Sequence, residues 1–155
     1  MRIKLRLCML LSVAVFTSCS PAQSEPQSKN NSQEYEIITN NTILLENFFD
    51  QEEDDYLVFV HSDTCAQCKE IIGDVVTFAN DNIRKTYFLN MTTSSSKITK
   101  VSVNEITVGV SSVVGLVYVG TPTIYEVVNK TTTANIGGKD KCLTFLNEIR
   151  KNSEI

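Results

Sequence analysis

Tryptophan is absent from the 155-residue sequence, histidine occurs once, at position 61, and proline occurs three times. His61 is therefore the single histidine available to a metal site or to a Ser-His-Asp triad, which argues against both kinds of site. Basic residues are fewer than acidic ones, 14 against 18. No basic stretch follows the first six residues and the formal net charge is −4, which argues against nucleic acid as a partner. With 42% hydrophobic and 21% charged residues, the composition is that of an ordinary globular protein, and the length indicates one domain.

The first 18 residues have the pattern of an export signal. Residues 1–6 carry three basic side chains and no acid, and residues 7–16 are almost entirely apolar. A basic segment followed by about ten apolar residues is typical of a secretory signal peptide, and it is shorter than the roughly 20 apolar residues that span a bilayer. Export would place the protein where disulfides persist.

The four residues Phe16-Thr17-Ser18-Cys19 resemble a bacterial lipobox, in which small residues precede a cysteine that is lipidated after cleavage. Phe16 departs from the leucine preferred at its position. Residues 20–33 are mainly Ser, Gln, Asn, Pro and Glu, a composition typical of a flexible tether. We therefore expect a signal peptide at 1–18, a tether at 19–34 and a domain at 35–152, on a lipoprotein anchored outside the cytoplasm in a bacterial cell envelope. Plain secretion, with Cys19 as an unmodified thiol, is the alternative.

Apolar periodicity predicts the secondary structure of the domain. Residues 56–60 are a continuous apolar run, typical of a central strand buried on both faces, and an amphipathic helix is predicted from Cys65 to about Asn80. The further predictions are a strand at 35–38, a helix with Leu44, Leu45, Phe48 and Phe49 on its apolar face, a strand at 86–91, a hairpin of strands 123–128 and 131–136, and a helix at 139–151. The acid-rich segment 50–55 is interpreted as a solvated turn, and residues 92–119 are left unassigned. This order of elements predicts a mixed β-sheet with helices on both faces.

The motif Cys65-Ala66-Gln67-Cys68 is the candidate reactive site. Its two cysteines stand at the start of the predicted helix, directly after the buried strand. The free backbone N–H groups and the dipole of a helix N-terminus stabilise a thiolate at Cys65, lower its pKa from about 8.5 and make it the nucleophile. Cys68, one turn further along, is close enough to attack the mixed disulfide that Cys65 forms. Lys69 adds positive charge nearby.

A C-x-x-C pair is also compatible with half of a zinc site or with an inert structural disulfide. Zinc needs two further ligands, for which His61 and Cys142 are the candidates, and neither has the spacing of a zinc finger. The position between a buried strand and an amphipathic helix favours the redox interpretation. Cys142 falls on the apolar side of the last predicted helix, so we expect it to be buried and unreactive.

The chain resembles the thioredoxin family in the segments around this motif. The matching residues are Leu57-Val58-Phe59-Val60, Cys65 to Lys69, Gly120-Thr121-Pro122-Thr123 and Ile136-Gly137-Gly138. The resemblance implies a thioredoxin-like three-layer α/β/α sandwich with a central mixed β-sheet. It also implies a cis peptide bond before Pro122, beside the disulfide, and a Thr121 backbone that binds substrate through strand-type hydrogen bonds. An ordinary turn at 121–123 is the alternative.

Three features depart from the thioredoxin pattern. Thr64 stands where thioredoxins usually have tryptophan, and Phe59 stands where they have a buried acid that assists proton transfer. His61 can take over as a proton acceptor or stabilise the Cys65 thiolate, or it can be a partly buried polar residue without a catalytic role. Ala66-Gln67 matches neither the Gly-Pro of thioredoxins nor the Pro-His of strong oxidants, so the motif does not indicate the direction of electron flow.

The sequence therefore predicts a membrane-tethered, extracytoplasmic thiol–disulfide oxidoreductase, with Cys65 as the attacking thiol, Cys68 as the resolving thiol and no cofactor. Its expected partners are protein or peptide thiols and disulfides. The anchor slightly favours a reductase, supplied with electrons by a membrane thiol carrier. Two alternatives stay open. One is a non-enzymatic thioredoxin-like module, such as an accessory protein or chaperone for peptide export. The other is a metallochaperone using Cys65, Cys68 and His61, although such proteins usually space their cysteines by three residues.

Overall fold

The central sheet is built around the apolar segment 56–60. In the computed structural model, which describes residues 27–94 and 97–154, the strands are β1 (Asp55–His61), β2 (Lys85–Asn90), β3 (Thr99–Lys100), β4 (Val117–Tyr118), β5 (Thr123–Val128) and β6 (Thr131–Gly137). Four of these strands form one sheet in the order β2-β1-β5-β6, with β1 parallel to β2 and antiparallel to β5. All residues of β1 after Asp55 are buried. The predicted central strand, the strand after it and the hairpin are confirmed.

The helices α1 (Gln27–Asn40), α2 (Ala66–Asn80) and α3 (Lys139–Ser153) pack on one face of this sheet. Phe59 of β1 lies there in one apolar cluster with Ile71 and Val75 of α2 and with Leu146 of α3. Because side chains alternate along a strand, the neighbours of Phe59 in β1 point to the opposite face. The predicted helices at 65–80 and 139–151 are confirmed.

The opposite face is covered by loops and short 3₁₀ turns. Val58 and Tyr125 of the sheet pack there against Phe48, Ile98 and Leu116. Residues 92–119, which the sequence left unassigned, contribute β3 and β4, paired in parallel, and two 3₁₀ turns at Val103–Glu105 and Val113–Gly115. The predicted fold class, a thioredoxin-like sandwich around a central mixed sheet, is confirmed. The sequence predicts helices on both faces of the sheet, but in the described residues the three α-helices lie on one face and the other is covered by loops and short 3₁₀ turns.

The strand predicted at 35–38 is wrong, because these residues belong to α1. Ile37 and Ile38 both pack against the core on the α2 side, whereas a strand would direct them to opposite faces. The edge of β2 that such a strand would join is already occupied. The N–H of Ile43 donates to the Phe88 carbonyl at 2.9 Å, and the N–H of Phe88 donates to the Asn41 carbonyl at 2.8 Å.

The helix α1 begins inside the segment predicted as a tether. Residues 27–34 of that 19–34 segment are helical. The predicted signal peptide at 1–18 and Cys19 lie outside the described residues. Within the described part of the chain, no helix combines the length and the apolar character needed to cross a membrane.

The amphipathic helix predicted around Leu44 and Phe49 is also wrong, since only a 3₁₀ turn, Leu45–Asn47, forms there. Leu45 and Phe48 are spaced by three residues, which aligns them along a 3₁₀ turn, and both reach the core, whereas Leu44 is 55% exposed. The hydroxyl of Tyr56 donates to the Phe48 carbonyl at 2.7 Å. That carbonyl is therefore satisfied by the strand beside it and not by a continuing helix.

Candidate active site

Cys65 is the N-cap residue of α2 and is held by the first turn of that helix. Its backbone is extended, with φ −80° and ψ 109°, and its N–H donates to the Ser62 carbonyl at 3.1 Å. Its Sγ accepts a hydrogen bond of 3.1 Å from the backbone N–H of Cys68. A sulfur in this position lies against the positive end of the helix dipole, so a thiolate formed there is stabilised.

Cys65 and Cys68 form a disulfide, with their Cα atoms 5.2 Å apart. Cys68 is 2% exposed, whereas Cys65 is only partly buried. An incoming group can therefore reach the sulfur of Cys65 but not that of Cys68. This difference in exposure agrees with the expected order, in which Cys65 reacts first.

The loop before β5 faces the disulfide. The Thr121–Pro122 peptide bond is cis, as the family resemblance implied. The carbonyl oxygen of Thr121 lies 3.3 Å from Sγ of Cys65. In the disulfide this is a contact without a hydrogen, and after reduction the Cys65 thiol can donate to that oxygen. Pro122 itself is buried and Thr121 is partly exposed, so Thr121 is the part of the loop open to a bound chain.

The cis-proline loop is held by a hydrogen bond from the start of α3 and by one within the loop itself. The N–H of Gly138 donates to the Pro122 carbonyl at 2.8 Å, and the Thr123 hydroxyl donates to the Gly120 carbonyl at 2.6 Å. These bonds set the direction in which the Thr121 carbonyl points. The site therefore combines residues from α2, the loop before β5 and the β6–α3 junction.

His61 ends β1 on the face that α2 covers. Its ring stacks on Phe59 with 5.7 Å between centroids, and its side chain is 8% exposed. Nε2 is buried and has no hydrogen-bond partner among the residues that the structure describes. Burial lowers the pKa of His61 below 6.5, although the charge of Asp63 acts in the opposite direction. The imidazole is therefore neutral at pH 7.

The turn that leads into Cys65 is tied to the end of β2. The N–H of Asp63 donates to Oγ1 of Thr92 at 2.9 Å, and Nδ2 of Asn90 donates to the Asp63 carboxylate at 2.8 Å. Lys69 lies exposed in the first turn of α2, and its N–H donates to the Cys65 carbonyl at 3.2 Å. These contacts hold the backbone on both sides of Cys65.

Three features characterise the fold: the strand order, the C-x-x-C disulfide at the start of the helix after β1 and the cis-proline that faces it. The chain has a thioredoxin-like fold. The decisive observation is spatial, because Pro122 is far from Cys65 in sequence and yet its preceding carbonyl contacts the Cys65 sulfur.

Comparison with solved structures finds thioredoxins at low sequence identity. Thioredoxin f2 of Chlamydomonas reinhardtii is 18% identical, with a TM-score of 0.45, over 69% of this chain and 93% of that one. Thioredoxin f from spinach chloroplast is 13% identical, with a TM-score of 0.45, over 77% and 93%. A third structure, described as having a thioredoxin fold, is 16% identical, with a TM-score of 0.48, over 73% and 96%. No protein-family model matches the sequence, and a search of curated proteins finds no significant match. The fold assignment therefore rests on the geometry of this chain.

Cys142 of the thioredoxin-like domain lies behind the cis-proline loop. It is fully buried, and its thiol donates to the Ile136 carbonyl at 3.3 Å. Burial raises the pKa of Cys142 to about 12, so the thiol stays protonated near neutral pH. The expected burial of this residue is confirmed, and its lack of a role in turnover stays a prediction.

A metal centre is not assembled by the described residues, among which no group of three His, Cys, Asp or Glu side chains is placed to hold an ion. The metallochaperone alternative required such a group from His61, Cys65 and Cys68.

Lys100, which the sequence did not single out, also lies beside the cis-proline loop. The pairing of β3 with β4 sets Lys100 opposite Tyr118. A Cβ atom on Gly120 would lie 3.8 Å from Cε and 4.0 Å from Nζ of this lysine. No local pattern signals this position, because it depends on the pairing of two short strands that are distant in sequence.

Proposed function

We propose that this thioredoxin-like protein is a thiol–disulfide oxidoreductase that reduces disulfides in proteins or peptides. The observation that carries the proposal is the placement of the partly exposed Cys65 sulfur. It lies at the N-terminus of α2, 3.3 Å from the Thr121 carbonyl, in a disulfide with the buried Cys68. This arrangement supports attack by one sulfur and resolution by the other.

The reduced protein would transfer two electrons in two exchange steps. The Cys65 thiolate attacks one sulfur of the substrate disulfide, and the other substrate sulfur leaves as a thiolate that takes up a proton. Cys68 then loses its proton and attacks Sγ of Cys65, so that the protein disulfide closes. The second substrate sulfur is released as a thiolate and is protonated. The substrate is thereby reduced and the protein oxidised, and the reverse path oxidises a substrate dithiol.

In this proposal His61 receives the proton that Cys68 gives up. Cys68 is buried in the first turn of α2, and the neutral imidazole lies at the end of β1, stacked on Phe59 of the face that α2 covers. Phe59, which replaces the buried acid of thioredoxins, stacks on the same ring. A neutral base that takes up the proton of a buried thiol lowers the cost of forming the resolving thiolate.

The proposed location is extracytoplasmic, in a bacterial cell envelope, with a lipid on Cys19 as the membrane anchor. Support comes from the sequence alone, in the basic-then-apolar first 18 residues and the lipobox-like Phe16-Thr17-Ser18-Cys19. An anchor would keep the site near a membrane thiol carrier, which would supply the two electrons that each turnover of a reductase consumes.

The activity is tested by the reduction of insulin with dithiothreitol as electron donor. We expect the purified full-length protein to accelerate precipitation of the insulin B chain, and the variants Cys65→Ala and Cys68→Ala to lose that acceleration. Cys142→Ala is the matched control and should retain it. A wild-type rate equal to that of dithiothreitol alone would sink the proposal and favour the non-enzymatic module.

The direction is tested by equilibrating the Cys65–Cys68 pair in glutathione buffers. A reduction potential near that of thioredoxin, about −270 mV, supports a reductase, whereas a value near −120 mV indicates an oxidase.

A further inference from the structure

The β3–β4 pair brings one positive charge to the cis-proline loop. Besides the ladder between the strands, the N–H of Val101 donates to the Tyr118 carbonyl at 2.9 Å, which holds the backbone after Lys100. Gly120 has a φ of +144° and no side chain, so the methylene end and the ammonium of Lys100 lie along its backbone. The next residue is Thr121, whose carbonyl contacts the reactive sulfur.

Lys100 has no carboxylate partner among the described residues. The ion pairs found there use Arg84, Lys130, Lys139 and Arg150 as their cations. Glu105, close to Lys100 in sequence, accepts instead from the N–H and the hydroxyl of Ser102, at 2.9 and 2.7 Å. An unpaired ammonium beside a reactive disulfide is available to an anionic group on a bound molecule.

Lys100 is one of two cations near the disulfide without an ion pair among the described residues, the other being the exposed Lys69 of α2. The acidic segment 50–55 stands at the start of β1, whereas Cys65 follows the end of β1, about 20 Å away along the strand. Near the disulfide, Glu70 is paired with Lys139 at 2.7 Å and Asp63 accepts from Asn90. A negatively charged substrate is thus repelled by the far end of the molecule and meets Lys69 and Lys100 near the disulfide, of which Lys100 lies at the cis-proline loop.

We propose that Lys100 selects substrates whose disulfide is flanked by Asp or Glu, by pairing with a carboxylate of the chain that lies along Gly120 and Thr121. This inference rests on the proposed function and names the substrate class of the same site. The chemistry is the two-electron exchange described above, and Lys100 takes no part in bond making. Its contribution is to bring acidic segments to Cys65.

The test compares two synthetic peptides with one intramolecular disulfide each, identical except for two flanking residues, Glu in one and Gln in the other. The full-length protein is reduced with dithiothreitol, freed of it and mixed with each peptide, and the second-order rate constant is followed by acid quenching and mass spectrometry. We expect the Glu peptide to react about three- to fivefold faster, since a single exposed charge pair has about that effect. The difference should shrink when sodium chloride is raised from about 0.02 M to about 0.5 M.

Lys100→Gln should abolish the difference between the two peptides. Lys130→Gln is the matched control, because it removes the same charge at the turn near Asp50, away from the site, and it should keep the preference. Equal rates with both peptides in the wild type, or a preference that survives in Lys100→Gln, would overturn the inference while leaving the oxidoreductase proposal standing. Failure to reduce either peptide contradicts the proposed function, and the inference falls with it.

Discussion

At the residue scale, the described cysteines differ in how far they are buried, and this difference bears on their chemistry. Cys65 is partly exposed and lies against a helix N-terminus, Cys68 is 2% exposed in the same helix, and Cys142 is fully buried in another. In the proposed mechanism the same residue type therefore supplies a nucleophile, a resolving thiol and a packing group, because the three sulfurs differ in exposure and only Cys65 lies against a helix N-terminus.

Replacement of Cys142 by alanine should leave insulin reduction unchanged and lower the free energy of unfolding by about 1 kcal/mol. The thiol is protonated near neutral pH because burial raises its pKa to about 12, and the substitution removes its packing and its bond to the Ile136 carbonyl. Urea denaturation of the oxidised protein measures the stability. Loss of activity, or a wild-type dimer linked through Cys142, would show that this thiol belongs to the mechanism.

His61 is the single histidine of the sequence, so its protonation gives a specific prediction for the pH dependence of stability. Burial lowers the pKa of His61 in the folded protein, so at pH values below 6.5 the unfolded chain binds a proton that the folded chain does not. Stability should therefore fall as the pH drops from 6.5 through the folded pKa, and this group should have no effect above 6.5.

The NMR titration of the His61 ring protons measures this pKa directly, since no other histidine is present. We expect a midpoint below 6.5, and a smaller loss of stability on acidification in His61→Phe. A midpoint at or above 6.5 would contradict both the neutral imidazole at the site and its proposed role as proton acceptor.

At the element scale, the end of β6 couples the core to the cis-proline loop. A Cβ atom at Gly137 would overlap Cγ2 of Val119, and the N–H of the next residue, Gly138, holds the Pro122 carbonyl. The strand end and the loop are therefore in direct contact. A small residue is required at position 137 because the Val119 side chain occupies the space where a larger one would point.

Gly137→Ala should lower the free energy of unfolding by about 1–3 kcal/mol, since overpacking shifts Val119 or the backbone. It should also slow insulin reduction, because the Thr121 carbonyl moves with the loop. Val119→Ala added to Gly137→Ala should restore much of the stability.

Gly73→Ala is the matched control for this substitution. A Cβ atom at this position within α2 meets nothing within 4 Å, so alanine should stabilise the helix by about 0.5–1 kcal/mol. Equal effects of the two substitutions in urea denaturation would show that Val119 does not restrict position 137.

At the scale of the whole molecule, the reactive site and the acidic segment lie at opposite ends of β1. The acids of 50–55 precede the strand and the disulfide follows it, with Cys65 beyond His61. The reactive disulfide and the dense negative charge of 50–55 are therefore separated by the length of the strand.

Replacement of Cys19 by alanine should transfer the protein from the membrane fraction to the soluble fraction, or leave it as an unprocessed precursor, because the acyl chains are lost. Fractionation of cells and the intact mass of the product measure the change. Cys142→Ala serves as the control for removal of a cysteine and should stay with the membrane. An unchanged fraction and unchanged mass would exclude lipidation.

The sequence by itself determined β1, α2 and the reactive pair. The apolar run 56–60 has one stable environment, a strand buried on both faces, and the helix after it carries its own periodicity and its own N-terminal motif. These features depend on contacts near in sequence or on a pattern strong enough to specify burial. The two cysteines could thus be placed in order of exposure without coordinates.

Only the tertiary structure decided the shorter segments and the rest of the site. Residues 35–38 are helical because their two isoleucines reach the same core beneath α2, and the short turn at Leu45 ends where Tyr56 binds the Phe48 carbonyl. The same holds for Lys100, whose position beside Gly120 comes from the β3–β4 pairing. Short apolar segments are compatible with more than one local structure, and the partner that buries them or accepts their hydrogen bonds selects between these structures.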